Sequence, residues 1–531
     1  MNENIEQVGE VPGTTILVDK DGQVQNYMGG VKLNHQSETD IILIPQPSDT
    51  DQNDPLLWSP KWKKLHITIL FFYTLINACA AHWTTTVYTL FTKDFNTSYS
   101  NLNQVTGAQN LVLAFSCIFS QPFANKFGRR PTYICSTIIC LVAFIAFAGA
   151  RSYAGYMVYG VLIGLGVGPM DSLVGPSVHD VFFLHQHGYM AAYVIALGFG
   201  SNFGIVISGY IVETTKKWEW CLYVLIILDV CVLIFAIFFL EESLYHRDTK
   251  DKIAIVESHS QESNEKEEIK ETVEVDNLSP IPRKPFWQRI TFLSLDKANK
   301  SNIFELTIAP IKTFRYPAVI FTSLIYGIQI CWLQLFGVTL SQFYSAPPYN
   351  FTSEAIGNMN WAGIVGTIIG AAYLQISDWY QVYRAKKNNG IAEPEHKLDL
   401  WYVPMILNVL GLFLYGYGPK YGYHWVVGAI GIGLINIGIF SLTTISLTYV
   451  MESYPKQTSK TMVAVLFVRN IMSAIFTWVF QYWLEGLGVI WLVAMLGLLC
   501  FFINASVLIM VFWGKSFRQK TAHWYFNSVQ D

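Results

Sequence analysis

The sequence predicts an all-α membrane protein with twelve transmembrane helices in two bundles of six. Of its 531 residues, 52% are apolar and only 14% are charged, whereas a typical soluble protein carries about 25% charged residues. The apolar residues lie in runs that are long enough to cross a bilayer. A charged segment separates these runs into two sets of six, an arrangement typical of transporters built from a duplicated half.

The elements follow in order along the chain. Residues 1–60 are polar and rich in Asp, Asn, Gln and Pro, which predicts a disordered N-terminal tail. The first bundle occupies residues 61–240, and its spans are predicted near 65–90, 104–124, 132–150, 154–178, 189–212 and 220–240. Residues 241–313 are dense in charge and cannot form a core, so they are predicted to be a linker.

The second bundle is predicted for residues 314–513, followed by a C-terminal tail at 514–531. Its spans are predicted near 316–341, 355–376, 400–418, 424–448, 461–484 and 489–513. The N-terminus shows no basic segment followed by an apolar one, so a cleavable signal peptide is not expected.

Lys and Arg are more frequent in the even-numbered loops between spans than in the odd-numbered ones. Because short loops rich in positive charge stay on the cytoplasmic side, both termini and the linker are predicted to be cytoplasmic. The protein is expected in the plasma membrane. The sequons at Asn96 and Asn350 then lie in the first and seventh loops, outside the cell, and are predicted glycosylation sites.

Several classes of function are not indicated. The chain shows no basic stripe interleaved with aromatic residues, so no nucleic-acid partner is expected. It contains no Walker loop, no HExxH motif and no GxSxG motif placed on a turn, which argues against an enzyme or an ATP-driven pump. All eight cysteines lie in apolar runs without a CxxC pair, and no metal or other cofactor is predicted.

An aspartate interrupts the fourth span. Asp171, in GPMDSLVGPS, is the only charged residue between Tyr156 and Val178. A carboxylate at this depth costs about 2.5–3.5 kcal/mol on insertion scales, and such acids usually face a cavity and have a partner. Asp171 is therefore predicted to bind substrate or a proton, although neighbouring hydroxyl or Trp N–H groups could also satisfy it without any role in transport.

The loop between the second and third spans carries a basic motif, PFANKFGRRP, at residues 122–131. It resembles the signature loop of the major facilitator superfamily, although Asn125 stands where the signature has an Asp. The resemblance implies gating or structural contacts at five positions, two of them outside this loop: Gly128, Arg129, Arg130, Asp180 and Asp378. The basic residues could also act only as topology signals.

Four further stretches narrow this resemblance to fungal members of the drug:proton antiporter group, similar to yeast transporters of histidinol, cations and polyamines. These stretches lie at residues 43–64, 169–188, 384–398 and 448–455. The resemblance implies the major facilitator fold, in which a central site opens alternately to the two sides of the membrane. It also implies that Asp171 faces a central cavity and binds a cation or a proton.

Polar residues in other spans are further candidates for the substrate site. Besides Asp171, the predicted binding residues are His82, Trp83, Gln329, Asn360, Tyr449 and Asn470. A His can titrate near neutral pH and a Trp can hold a cation over its ring, but one interhelical hydrogen bond would explain each of these residues equally well. Arg469 is expected to pair with an acid or a helix terminus, and Asp229 receives no role.

Together, the sequence predicts a secondary active transporter, expected to be a monomer, with a small-molecule substrate and protons as its partners in the lipid bilayer. The substrate is expected to be a small polar or cationic organic solute, such as an amine or amino alcohol, moved by proton-coupled alternating access. Polyamine carriers tend to have acids in the first and seventh spans, and this chain has none there. A drug or toxin exporter driven by protons and a transporter-like nutrient sensor remain alternatives.

Overall fold

The computed structural model describes residues 11–16, 51, 53–182, 188–245, 303–388 and 391–530. In the N-terminal half, the α-helices are α1 (Pro60–His82), α2 (Tyr88–Asp94), α3 (Tyr99–Phe127), α4 (Arg129–Ala150), α5 (Tyr153–Val181), α6 (Gly188–Thr215) and α7 (Glu219–Phe239). In the C-terminal half, they are α8 (Ile303–Lys312), α9 (Pro317–Tyr344), α10 (Ser353–Met359), α11 (Trp361–Lys387), α12 (Tyr402–Lys420), α13 (Trp425–Ser453), α14 (Thr458–Ala505) and α15 (Val507–Gln530).

Each of the twelve predicted spans corresponds to a helix or helix segment. Among the described residues, eight segments are long and apolar enough to cross a membrane, or nine if Pro394–Leu400 and α12, which are bent by 44°, form one span. The other predicted spans fall on α3 and α11, which are richer in polar residues, and on α14. This 48-residue helix is bent at Gly488, whose φ of 69° favours glycine, and it contains the eleventh span and most of the twelfth, which continues into α15.

Small residues allow the helices to approach closely, as is usual where lipid gives no hydrophobic drive for helix association. A Cβ atom on Gly168 of α5 would collide with the side chain of Ser116 on α3. A Cβ atom on Gly411 of α12 would lie 2.9 Å from the carbonyl oxygen of Gly431 on α13. The two halves meet along two seams, where α14 packs on α3 and where α6 packs on α10 and α11.

The two ends of the molecule differ, and we name them by what they carry. The sequon end carries Asn96 and Asn350, both exposed. There the halves are joined by a 2.6 Å hydrogen bond between the Thr89 and Ser341 hydroxyls and by the Tyr210 hydroxyl, which donates to Asn358 Oδ1 at 2.8 Å. The opposite end, which we call the terminal end, carries residues 11–16 and the C-terminal part of α15.

The N-terminal segment is ordered where it is described, so the prediction of a disordered tail over 1–60 is wrong for residues 11–16. Strand β1 (Thr15–Ile16) pairs antiparallel with β2 (Ile391–Ala392), in the loop between α11 and α12. Arg518 of α15 donates to the Pro12 carbonyl oxygen at 2.5 Å. Polar composition predicts that a segment has no core of its own, but it cannot show that the folded chain offers partners for it. The predicted C-terminal tail is likewise helical through Gln530.

Candidate substrate site

A cavity of about 560 Å³ lies between the two halves. Its lining extends from His82 and Gln334, on the side of the sequon end, to Lys397, Pro455 and Ser459 at the terminal end. Because the halves are hydrogen-bonded to each other at the sequon end, the cavity is closed there. The structure therefore shows a central chamber that is closed at the sequon end and extends to the terminal end.

Asp171 and Arg469 form a buried ion pair in the wall of this cavity. Asp171 on α5 is 5% exposed and Arg469 on α14 is 4% exposed. The Arg469 Nη2 atom donates to Asp171 Oδ2, so the pair connects the N-terminal half to the C-terminal half. This contact confirms the expectation that Arg469 pairs with an acid, and it supplies the partner that an intramembrane carboxylate requires.

Two neighbours hold the guanidinium group of Arg469 in place. Arg469 Nη1 donates to the Tyr326 hydroxyl at 2.9 Å, and Arg469 Nε donates to Asn470 Oδ1 at 2.9 Å. The guanidinium carbon also lies 4.8 Å from the centre of the Tyr326 ring, within the range of a cation–π contact. A buried charge is stable only when its donors or acceptors are satisfied, and here three of the guanidinium nitrogens have partners.

Three of the predicted binding residues line the cavity: Asp171, His82 and Asn470. Asn470 connects Arg469 to α3, because its Nδ2 atom lies 3.7 Å from the Cys117 sulfur atom. His82 is half-buried at the C-terminal end of α1. These residues come from both halves, so the structure brings them to one chamber although they are far apart in the sequence.

The four other predicted binding residues do not line this cavity, so a role for them in substrate binding stays a prediction. Each is buried and bonded within its own half: Trp83 to the Tyr159 hydroxyl at 2.8 Å, Gln329 to Asn504 at 3.1 Å, Asn360 to the Ile356 carbonyl at 3.4 Å and Tyr449 to Glu395 at 3.5 Å. The sequence places them at membrane depth but does not show which side of each helix faces the cavity. The contacts of Trp83, Gln329 and Tyr449 hold helices and loops together, the structural alternative for such residues. Asn360 instead bonds one turn back in its own segment.

The structure adds cavity residues that the sequence analysis did not assign to the site. Gln109, Asn110 and Gln334 line the cavity on the side of the sequon end. Lys397 and Glu452 line it at the terminal end, where Lys397 Nζ lies 2.7 Å from Glu452 Oε1. Gln109 and Asn110 are two adjacent amide residues within an apolar span, and this pattern could have identified them as site residues from the sequence. Lys397 and Glu452 lie near a membrane face, where polar residues are ordinary, so no pattern in the sequence marked them as site residues.

The residues of the predicted signature meet at the terminal end of the N-terminal half. Arg129 Nη2 lies 2.7 Å from Asp180 Oδ2. The backbone N–H groups of Arg129 and Arg130 donate to the carboxylate of Glu242 at 2.9 and 3.2 Å. Gly128 has a φ of 110°, and a Cβ atom there would collide with the same carboxylate. The side chain of Asp378 lies outside the described part of the chain.

Among the described residues, the charged groups in the cavity wall balance. The acids are Asp171, Asp180 and Glu452, and the permanently charged bases are Arg129, Lys397 and Arg469. Each acid lies in an ion pair with one of these bases. Within the described residues, no group of three or more His, Cys, Asp or Glu side chains could hold a metal ion. The chamber therefore presents paired charges together with a larger number of neutral polar and apolar groups.

Comparison with known proteins agrees with this architecture. Residues 70–477 match the family model described as Major Facilitator Superfamily. An uncharacterized MFS-type transporter of Schizosaccharomyces pombe is 27% identical, over 98% of this chain and 94% of that protein. Protein HOL1 of Saccharomyces cerevisiae is also 27% identical, over 98% of this chain and 97% of its own.

Solved structures show the same fold. A POT family transporter in complex with 5-aminolevulinic acid superimposes with a TM-score of 0.58 and 13% sequence identity, covering 86% of this chain and 98% of that one. At this identity the likeness concerns the arrangement of helices alone.

Proposed function

This chain belongs to the Major Facilitator Superfamily of secondary transporters, and we propose that it moves a small polar or cationic organic solute, such as an amine or amino alcohol, by proton-coupled alternating access. The observation that carries this proposal is the buried ion pair between Asp171 and Arg469 in the wall of the central cavity. We further propose that the protein lies in the plasma membrane with its terminal end in the cytoplasm, so that the described conformation faces inward.

The ion pair supplies a physical link between binding and movement. Asp171 belongs to the N-terminal half and Arg469 to the C-terminal half, so their contact stabilises one arrangement of the halves. A cation or a proton that binds the Asp171 carboxylate weakens its attraction to Arg469. Because a ligand shifts a conformational equilibrium only through different affinities for the two states, competition with Arg469 provides the difference that alternating access needs.

The same pair limits the charge of the substrate. The pair has no net charge, so a cation must share the carboxylate with Arg469 or displace it. The other two acids of the cavity wall, Asp180 and Glu452, already have basic partners at the terminal end. A second positive charge on the substrate would therefore lack a free carboxylate, which supports a singly charged or neutral polar substrate over a polyamine.

The route of the proton distinguishes two modes of coupling. If proton and cation compete for Asp171 alone, they exchange across the membrane, because one carboxylate cannot hold both. Co-transport in the same direction requires a second protonatable group. His82 is a protonatable group in the cavity wall. Import would therefore depend on both residues, whereas exchange would depend on Asp171.

Uptake of a panel of radiolabelled monovalent amines and quaternary ammonium ions tests the proposal. At equal surface expression, the Asp171→Asn variant should lose uptake and the pH dependence of any residual uptake. Asp229→Asn is the matched control, because Asp229 is also a buried acid but does not line the cavity. Wild-type rates with wild-type pH dependence in Asp171→Asn would overturn the proposal. Loss of pH dependence in His82→Gln would assign the second proton to His82.

A second candidate function has an observation in its favour. Much of the cavity wall is apolar and includes Met170, Phe440, Met451, Met462 and Leu466. Such a lining suits larger lipophilic cations, as a proton-driven drug or toxin exporter would carry. Growth of cells that express the chain on a panel of lipophilic cations separates the two functions, because export raises resistance whereas import of a small solute leaves it unchanged or lowers it.

A further inference from the structure

The cavity contains a group of polar side chains without a permanent charge, and this group is separate from the ion pair. His82, Gln109, Asn110 and Gln334 line its closed side, and we call these four residues the amide cluster. They come from three helices: α1 ends at His82, α3 carries Gln109 and Asn110, and α9 of the other half carries Gln334. The amide cluster thus lies at the junction of the two halves, as the ion pair does.

Its distance from the ion pair follows from helix geometry. A Cβ atom on Gly164 of α5 would collide with the Gln109 carbonyl oxygen, so these two residues lie side by side, and Gly164 precedes Asp171 by seven residues. The hydroxyl of Tyr326 accepts a hydrogen bond from Arg469, and Gln334 follows Tyr326 by eight residues on α9. At a rise of about 1.5 Å per residue, both paths give a separation along the helices of about 10–12 Å. The cavity therefore has a polar region at its closed side, about 10–12 Å along the helices from the ion pair.

The amide cluster has unused hydrogen-bonding capacity. Asn110 is 4% exposed, and its Nδ2 atom has no hydrogen-bond partner among the described residues. Its Oδ1 atom accepts from Gln334 Nε2 at 3.5 Å, which is long for a hydrogen bond. A buried amide without a partner is unfavourable, so an acceptor that reaches Asn110 would be bound with a gain in free energy.

We propose that the amide cluster is a second binding region for the substrate, which takes a neutral hydrogen-bonding group, such as a hydroxyl or amide, at the end remote from its cation. This inference rests on the proposed function, because it assumes that the cationic end lies at Asp171. It narrows the substrate class to solutes that carry one positive charge and one neutral polar group about 10 Å apart. It also assigns discrimination among cations to Asn110 and Gln334.

Asn110 and Gln334 belong to different halves, so a substrate group between them contacts both. Their direct contact is weak in the conformation shown, and a bound hydroxyl or amide would bridge the two side chains. The bridge stabilises the closed sequon end while the cation occupies Asp171. A substrate without the remote polar group keeps the first contact and loses the second.

A matched pair of probes tests this assignment. The probes are two radiolabelled quaternary ammonium ions of equal chain length, long enough to span about 10 Å, one ending in a hydroxyl group and the other in a methyl group. Neither can lose its charge. Wild-type protein should take up the hydroxyl-ended ion with a KM lower by about 2- to 10-fold, the range that one net hydrogen bond gives.

The Asn110→Leu variant should remove this preference by raising the KM of the hydroxyl-ended ion and leaving that of the methyl-ended ion unchanged. Gln334→Met should also reduce the preference. This second variant keeps the test valid if Asn110→Leu does not reach the cell surface. Asn103→Leu is the matched control, because Asn103 is buried on the same helix and does not line the cavity. It should keep the wild-type preference.

The outcomes separate this inference from the proposed function. If neither ion is taken up or inhibits uptake of the other monovalent amines, the cation proposal and the inference both fail. If both ions are taken up with equal KM, the amide cluster has no role in recognition and only the inference fails. A preference that persists unchanged in both Asn110→Leu and Gln334→Met also overturns it.

Discussion

Asp171 and Arg469 lie 298 residues apart in the chain, yet they form one buried ion pair that joins the two halves. The pair explains why a membrane helix tolerates a carboxylate: the charge is compensated by a guanidinium group from the opposite half. Because the contact crosses the boundary between the halves, we expect it to couple the charge state of the cavity to the conformation.

Removal of one partner should destabilise the protein more than removal of both. Arg469→Met leaves the Asp171 carboxylate buried without its cation, a change that costs about 3–5 kcal/mol for buried pairs. The double variant Asp171→Asn, Arg469→Met leaves neither charge and should recover most of this loss. Thermal unfolding of the purified proteins in detergent, followed by tryptophan fluorescence, ranks the stability of the wild type, the single variant and the double variant. Equal stability of the single and double variants would show that the pair is not compensated as described.

The closed sequon end should be lockable by a disulfide. The hydroxyl oxygens of Thr89 and Ser341 are 2.6 Å apart, so cysteines at both positions would bring their sulfur atoms near the S–S bond length of about 2.05 Å. Oxidised Thr89→Cys, Ser341→Cys protein should lose nearly all uptake, because the halves could no longer separate there, and reduction should restore it. Each single variant serves as a control. Undiminished uptake by fully cross-linked protein would mean that this end does not open.

Gly128 should be intolerant of a side chain. Its φ of 110° lies in a region that disfavours other residues, and a Cβ atom would displace the Glu242 carboxylate that holds the turn. Gly128→Ala should therefore lower the free energy of unfolding by about 1–3 kcal/mol, measured by denaturant titration in detergent. The matched control is Gly149→Ala on α4, since a Cβ atom there meets nothing within 4 Å. If the two variants unfold at the same denaturant concentration, the turn at Gly128 is not constrained.

Glycosylation tests the proposed orientation. Asn96 and Asn350 are exposed at the same end of the molecule, and both should carry glycans if that end lies outside the cell. Asn96→Gln and Asn350→Gln should each increase gel mobility by one step, and the double variant should be insensitive to glycosidase treatment. A glycan at the sequon of Asn299, in the predicted linker, would place the linker outside and reverse the orientation.

Much of the fold was predictable because hydrophobic spans leave a strong pattern in the sequence. The helices α4, α5, α7 and α13 lie where apolar runs predicted spans. The break at Gly488 agrees with the predicted boundary between two spans, because its backbone angles are not helical and separate two helical segments. The N-terminal segment at 11–16 was not predictable, since its order depends on β2 and on Arg518, which lie in distant parts of the chain.

The site was predictable only in part. Asp171 could be identified because a lone carboxylate in an apolar span needs a compensating partner. Gln329 and Asn470 both looked like polar residues at membrane depth. In the structure, Gln329 donates a hydrogen bond to Asn504 and does not line the cavity, whereas Asn470 lies in the cavity wall. Hydropathy reports the depth of a residue but not the direction in which its side chain points.

The sequence by itself determined the class of protein, the number and order of the spans and the acid in the fourth span that needs a compensating partner. These are local properties, set by the length of each apolar run and by the energetic cost of a charge in lipid. Only the tertiary structure decided that Arg469 is the partner of Asp171, which polar residues line the cavity, and which end is closed. These depend on contacts between helices of different halves, and no local pattern in the sequence records which helix faces meet.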